Sequence, residues 1–304
     1  MHIASLLFPD LALIAIGWLI YRSGRLPAAF WEGTEGLVYY VLFPALLFGS
    51  ISRATLSAAQ AAPMIATAYS ALAMGILLSY SARWLLRPDA RQFASGAQCG
   101  FRFNSYITLA LASRIGEAPG LALAALITGF IVPIANTAAV YPLARHGGGS
   151  VWKALVRNPL VLATLAGLLS QVLGLKVPEP VDATLQRMGH ASLALGLLCV
   201  GAGLRLQRDP DTEPALVRSA RRLTVWFTFG KLVAMPATAL LMARVLQLAP
   251  LATTIVVMFA AMPTAPAAYV LANRMGGDGR FVAFLITVST LGSVLALPVW
   301  LGLL

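Results

Sequence analysis

The chain has 304 residues, of which 59 % are hydrophobic and 11 % charged, and its mean hydropathy is +0.80. That leaves too little polar surface to cover a soluble globule, and the formal charge of +11 has no basic domain on which to gather, which excludes a nucleic-acid-binding protein. What remains is an integral membrane protein, helical rather than barrel-forming, because its apolar runs are about twice the length of a barrel strand and lack period-two alternation.

Gly, Pro and Arg punctuation divides the chain into ten apolar segments. The first, 3 to 21, has no basic n-region and no small-residue cleavage site, so it reads as a membrane helix rather than a removed signal. Asp10, beside Pro9, is the only acid well inside a segment; it reads either as a proton relay or as a partly solvated residue near the outer face. Segment two, 30 to 51, opens on Glu32 and Glu35, where acids suit a helix N-terminus. Segment three is 61 to 85, and segment four, 92 to 115, carries Arg102 about 16 Å past Arg91 at 1.5 Å per residue. Segments five and six are 120 to 144 and 154 to 174, and segment seven, 180 to 203, holds His190, which reads as a packed histidine. Segment eight, 218 to 246, places Lys231 roughly 13 Å past Arg222. Segment nine, 250 to 274, is interrupted by "MPTAPAAY", and segment ten is 280 to 303. Cys99 and Cys199 lie inside apolar runs and read as small packing residues rather than a disulfide or metal pair.

Basic residues give an orientation. Loops after odd-numbered segments carry fifteen Lys and Arg, among them Arg83, Arg87, Arg91, Arg218, Arg221 and Arg222; the other loops carry five, including Arg53 and Lys176. By the positive-inside rule both termini face outward and the odd-to-even loops face the cytoplasm, where they meet anionic lipid. Arg102 and Lys231 belong to neither set, being inside segments.

The chain also repeats itself. "LASRIG" at 111 to 116 returns as "LANRMG" at 271 to 276, and "ALIT" at 125 to 128 as "FLIT" at 284 to 287; Pro9 and Gly17 have the spacing of Pro159 and Gly167. Two five-helix halves follow, 1–148 and 149–304. Five is odd, so the second half enters the membrane from the opposite side. Inverted repeats suit a transporter, since two halves related by an in-plane axis can present a midplane site to either side in turn. Breakers in matching places mark that site. In segment nine Pro263 and Pro266 each remove a backbone donor. In segment four the aligned stretch is "FRFNSYIT", with Asn104 roughly 20 Å from Arg91 and about 15 Å from Arg114, near the midplane.

With "LFPALLF" at 42 to 48, "FNSY" at 103 to 106, "VRNPLVLATLAGLL" at 156 to 169 and "MPTAPAAYVLANRMGGD" at 262 to 278, the chain resembles the auxin efflux carrier family over nearly its whole length. That family includes plant auxin exporters and bacterial carriers of organic anions. The resemblance implies a bacterial inner-membrane carrier with a scaffold of segments 1, 2, 6 and 7, a transport domain of segments 3 to 5 and 8 to 10, a crossover of segments four and nine, and a homodimer. The Gly and Pro that family members commonly carry after the segment-four Asn are missing from "ITLALA".

An intramembrane cation needs a reason to be there, and for Arg102 the candidates are a carboxylate counter-charge, snorkelling, or pairing with carbonyls of the broken helices. Lys231 reads as a substrate contact, a titrating group, or a plug on a freed helix C-terminus. Asn104, Ser105 and Thr264 offer neutral hydrogen-bonding groups, although Ser and Thr in membrane helices often bond only their own backbone. Tyr106 and Tyr269 offer aromatic walls with a polar tip. The candidate substrate site is therefore Arg102, Asn104, Ser105, Tyr106, Lys231, Pro263, Thr264, Pro266 and Tyr269, with Asp10 and Lys231 as candidate proton relays. No protease-type nucleophile and base, HExxH or paired aspartates occur, and segments 3 to 5 and 8 to 10 hold no interior acid to ligate a hard cation, so neither enzyme activity, a cofactor nor a metal is expected. The leading function is alternating-access efflux of a small organic anion. A sodium-coupled symporter of the bile-acid type, with metal sites of neutral oxygens, and an intramembrane anion sensor that does not transport are the alternatives.

Overall fold

The computed structural model describes residues 3–53, 58–147, 159–175, 177–203, 214–265 and 267–304; these are mainly α-helical and contain no strand. Helix α1 (Ile3–Arg22) covers segment one. Segment two comprises α2 (Ala28–Leu37), a π-helical turn over Val38–Leu42, and α3 (Phe43–Ser52). Next come α4 (Ala58–Leu85), then α5 (Ala90–Gly96) with a 3-10 turn over Ala97–Gly100, then α6 (Ser105–Gly147). The later elements are α7 (Pro159–Val172), α8 (Glu179–Gly203), α9 (Pro214–Phe229), a second π turn (Gly230–Ala234), α10 (Met235–Val245), α11 (Pro250–Ala260), α12 (Ala267–Arg274) and α13 (Gly279–Gly302).

Among the described residues, five stretches are long and apolar enough to cross a membrane: Ala28–Ser52, Ala61–Leu85, Ala90–Leu143, Leu216–Val245 and Gly279–Gly302; Ala12–Arg22 and Pro250–Ala260 are shorter apolar helices. As one helix, Ala90–Leu143 would run about 80 Å against a hydrocarbon core of about 30 Å. It is instead broken twice, at 101–104 and at Gly116–Glu117, where Glu117 adopts φ 49°.

Both π turns lead into a proline at the start of the next helix, Pro44 and Pro236. Proline has no N–H to return to the carbonyl four residues back, and widening the preceding turn absorbs that defect. In the second π turn the carbonyl of Leu232 accepts from Trp300 Nε1 at 2.9 Å.

The same backbone events recur along the chain at fixed intervals. Gly24 and Gly174, 150 positions apart, follow α1 and α7 with φ of 68° and 63°. Arg87 and Gln247, 160 apart, precede α5 and α11 with φ of 46° and 49°. The non-helical stretches at 101–104 and 261–265 begin 160 apart as well. Left-handed backbone at Arg and Gln is sterically costly, so it is imposed by the turns they occupy rather than by residue preference.

Contacts gather the chain into two groups, each drawing on both halves of the sequence. The first is Met1–Ala62, Ser105–Pro133 and Trp152–Gly203. Its helices meet through small residues: a Cβ on Gly17 would stand 2.1 Å from the carbonyl oxygen of Leu198, and one on Gly201 would stand 1.9 Å from that of Ile14. Thus α1 and α8 touch backbone to backbone, as membrane helices do where side chains are absent. Gly167 of α7 and Gly189 of α8 lie against Ile51 and Leu46 of α3. Arg53, at the end of α3, pairs with Asp182 at the start of α8.

The second group is Pro63–Asn104, Ile134–Val151 and Leu204–Leu304. Phe93, Phe227, Phe281 and Leu285 fill one part of its core, with Gly96 leaving the room that Phe281 and Phe227 occupy. Trp226 Nε1 donates to the Leu78 carbonyl at 2.7 Å, and Tyr80 Oη to that of Ala138 at 2.6 Å.

Two expectations are corrected here. Helix α2 starts at Ala28, directly after Pro27, so Glu32 and Glu35 lie beyond its first turn rather than at its N-terminus. His190 is exposed on α8 rather than packed.

Candidate functional site

Within the second group the two interrupted helices touch at their interruptions. The 3-10 turn closes α5, and the chain then runs without regular structure through Arg102, Phe103 and Asn104 before α6 opens on Ser105. Helix α11 ends at Ala260, and 261–265 follow without helical structure. Asn104 N donates to the carbonyl of Pro263 at 2.8 Å, and Thr264 Oγ1 donates to that of Cys99 at 2.7 Å. Each break thus answers a backbone group of the other. Thr264 N donates to Ser289 Oγ of α13 at 3.2 Å, and the rings of Phe103 and Phe259 stand 4.3 Å apart. Asn104 and Thr264 are fully buried. In a lipid-like interior every one of these polar groups must be matched within the protein, so this mutual pairing is what permits irregular backbone there.

Arg102 is fixed from two sides. Its Nη1 donates to Gln98 Oε1 at 2.9 Å and its Nη2 to Asn136 Oδ1 of α6 at 2.8 Å. Gln98 is itself oriented, because its amide nitrogen donates to the carbonyls of Ser95 and Ala268, both at 3.1 Å. With its N–H groups committed to backbone, only its oxygen is left to face the guanidinium. Both of these acceptors are neutral amides, and they set the direction of the guanidinium. The side chain is half-buried.

Lys231 lies in the second π turn, fully buried, and its Nζ donates to the carbonyl of Ala260 at 3.1 Å, with Met235 Sδ at 3.6 Å. Ala260 is the last residue of α11, so the ammonium stands at the negative end of a half-helix whose final carbonyls the break has freed. Of the roles open to Lys231 in the sequence, this geometry is that of a plug on a helix C-terminus.

The remaining candidates lie elsewhere. Ser105 and Tyr106 are helical, in the first turn of α6, and belong to the first group, where the Tyr106 ring packs edge-on to Phe43 with centroids 5.0 Å apart and against Gly196. Tyr269 is 39 % exposed on α12. Pro266 and the side chain of Asp10 lie outside the described residues. The breaks therefore bring together Arg102, Asn104, Pro263 and Thr264 from the candidate set. Gln98, Asn136 and Ser289 were missed. Gln98 stands one helical turn before Arg102, and Asn136 is an amide in an otherwise apolar run, so both carried a signal; Ser289 is one of several hydroxyl residues in segment ten and carried none.

Residues 120–301, well over half of the chain, match a family described as "Membrane transport protein". Over 317 aligned residues the chain is 26 % identical to a protein of Rhizobium meliloti (strain 1021) named "Putative malonate transporter", covering 96 % of this chain and 93 % of that one.

Proposed function

The chain belongs to the auxin efflux carrier family of membrane transport proteins, a family of transporters and not of enzymes, and from that premise we propose that it is a secondary carrier of small organic anions bearing a carboxylate. The observation that carries this reading is Arg102, a cation inside an apolar segment, aimed by Gln98 and Asn136 and sitting on the non-helical stretch that meets the second broken helix. A guanidinium aimed in this way presents a planar fork of N–H groups that matches a carboxylate. The relative's name supports a short dicarboxylate such as malonate as the first substrate to try.

Alternating access follows from two inverted five-helix halves, 1–148 and 149–304. The recurrence of left-handed turns and breaks at intervals of 150 and 160 residues supports the repeat. The pairing of Arg53 with Asp182 joins two helix ends that the charge count assigns to one side, and the bond from Arg91 Nη2 to the Gly277 carbonyl, 3.2 Å, does the same for the other. Segments 1, 2, 6 and 7 form the scaffold, through which two copies pair, and segments 3 to 5 and 8 to 10 move. Residues 105–133, which pack with the first group, are where this division and the contact grouping part. Bacterial inner-membrane location with both termini outside completes the reading.

The experiment is transport by the purified full chain in proteoliposomes, with Arg102→Gln beside it. Saturable uptake of a carboxylate that Arg102→Gln loses supports the carrier; saturable binding with no uptake in any condition would make it a sensor. Replacing sodium by choline separates an uncoupled or proton-coupled carrier from a sodium symporter.

A further inference from the structure

Away from the broken helices, the second group contains a concave pocket of about 250 Å³ lined by Leu86, Arg87, Pro88, Arg218, Ser219 and Arg222. Half of its lining residues are arginines. Arg218 and Arg222 are four apart on α9 and so share one face of that helix. Arg87 comes from the turn after α4. That turn is tied to α9 by Asp89 N donating to Ser219 Oγ at 3.3 Å and by Gln92 Nε2 donating to the Leu216 carbonyl at 3.2 Å. The Asp89 carboxylate is engaged elsewhere, accepting from Gln92 N at the start of α5. Among the described residues none of the three arginines has a carboxylate within ion-pair distance; Asp209, Asp211 and Glu213 lie outside them.

The turn itself does not require an arginine. Gln247 adopts nearly the same left-handed backbone at the corresponding place 160 residues on, so the geometry is served there by a neutral side chain. Gathering three like charges around one hollow is unfavourable unless an anion neutralises them. The neighbourhood says at what level that anion lies. The pocket adjoins the end of α4, a helix of membrane-crossing length, whose Trp84 and Leu85 are 71 % and 64 % exposed. Tryptophan at the end of such a helix belongs at the headgroup level.

The geometry points to a phosphate-anion site formed by Arg87, Arg218 and Arg222, whose occupant is the phosphodiester of an anionic lipid headgroup. Guanidinium forks match phosphate oxygens, and an anionic membrane surface supplies that group at high local concentration. A soluble phosphate ester has the same chemistry, and the test separates the two.

Short-chain phosphatidylglycerol is titrated into the full-length protein in a neutral detergent, and in parallel sn-glycerol 3-phosphate is titrated alone. The variant is Arg87→Gly with Arg222→Gln, glycine being at ease in the left-handed backbone at position 87. The control is Arg22→Gln with Arg25→Gln, which removes equal charge elsewhere, and melting curves of both report folding. The expected result is saturable phosphatidylglycerol binding that weakens roughly 20- to 30-fold in the pocket variant, the scale of two basic residues beside an anionic surface, and little in the control. If glycerol 3-phosphate binds as tightly with the same arginine dependence, the phosphate site stands and its occupant is soluble. Equal losses in both variants, or loss in neither, overturn it.

Discussion

Arg102, Lys231 and Asn104 are three polar residues in apolar segments, and each touches different partners in the structure. Arg102 is aimed, so Arg102→Gln is expected to keep the fold while weakening carboxylate binding by about 2–5 kcal/mol, the range for removing one partner of a buried charge pair. Lys in its place recovers only part, because a point charge lacks the fork. Asn136→Ala removes one of the two amides that fix the guanidinium. It is expected to cost about 1 kcal/mol of affinity in the wild-type background and close to nothing once Arg102 is already Gln, a coupling that isothermal titration on the double-mutant cycle reads directly. Additive losses would mean that Asn136 acts independently of Arg102. Lys231→Met tests the plug on α11: it leaves the buried Ala260 carbonyl without its donor, so the melting temperature is expected to fall. An unchanged melting temperature together with lost transport would contradict the plug and make Lys231 a group of the transport site. At this scale the sequence made Arg102 and Lys231 legible, because an ionisable residue deep in an apolar run stands out whatever the fold. It could not show that Gln98 and Asn136 converge on Arg102, because Asn136 is 34 positions away and only tertiary packing brings it there.

At the scale of elements, the paired breaks behave as one unit. Thr264→Val deprives the Cys99 carbonyl of a donor from another part of the chain, and is expected to cost about 1–3 kcal/mol by thermal unfolding in detergent. Thr290→Val removes a hydroxyl that donates to the Ile286 carbonyl of its own helix, and should cost less. Equal effects would show that the bond between the breaks contributes nothing special. Gly201→Ala pushes a methyl into the backbone of α1 and is expected to destabilise by about 1–3 kcal/mol, against little change for Gly36→Ala, where nothing lies within 4 Å. Helix limits were largely readable from Gly, Pro and Arg punctuation, because these residues act locally. The extent of the segment-four break was not. "FRFNSYIT" offered no proline to fix it, and the structure ends it at Asn104, leaving Ser105, Tyr106 and "ITLALA" helical. The π turns were also missed, although Pro44 and Pro236 inside apolar runs are the mark they leave.

For the whole molecule, the proposed repeat rests on left-handed turns and breaks that recur at intervals of 150 and 160 residues, whereas the grouping of 105–133 with the first group depends on packing that no local pattern records. Topology has its own check. In a background with Cys99 and Cys199 replaced by Ala, Ser52→Cys should label from outside intact cells and Ser23→Cys should not; the reverse pattern would remove the inverted-repeat reading, which stands on the same charge count.

The central claim is that a carboxylate crosses the membrane through a site whose charge is Arg102. Counterflow tests it most directly: proteoliposomes loaded with unlabelled malonate, diluted into a trace of labelled malonate, are expected to accumulate label transiently above equilibrium with the wild-type chain and to stay near the protein-free background with Arg102→Gln. Counterflow of equal size in both would contradict it, as would the absence of counterflow with malonate and with every other small carboxylate of a panel.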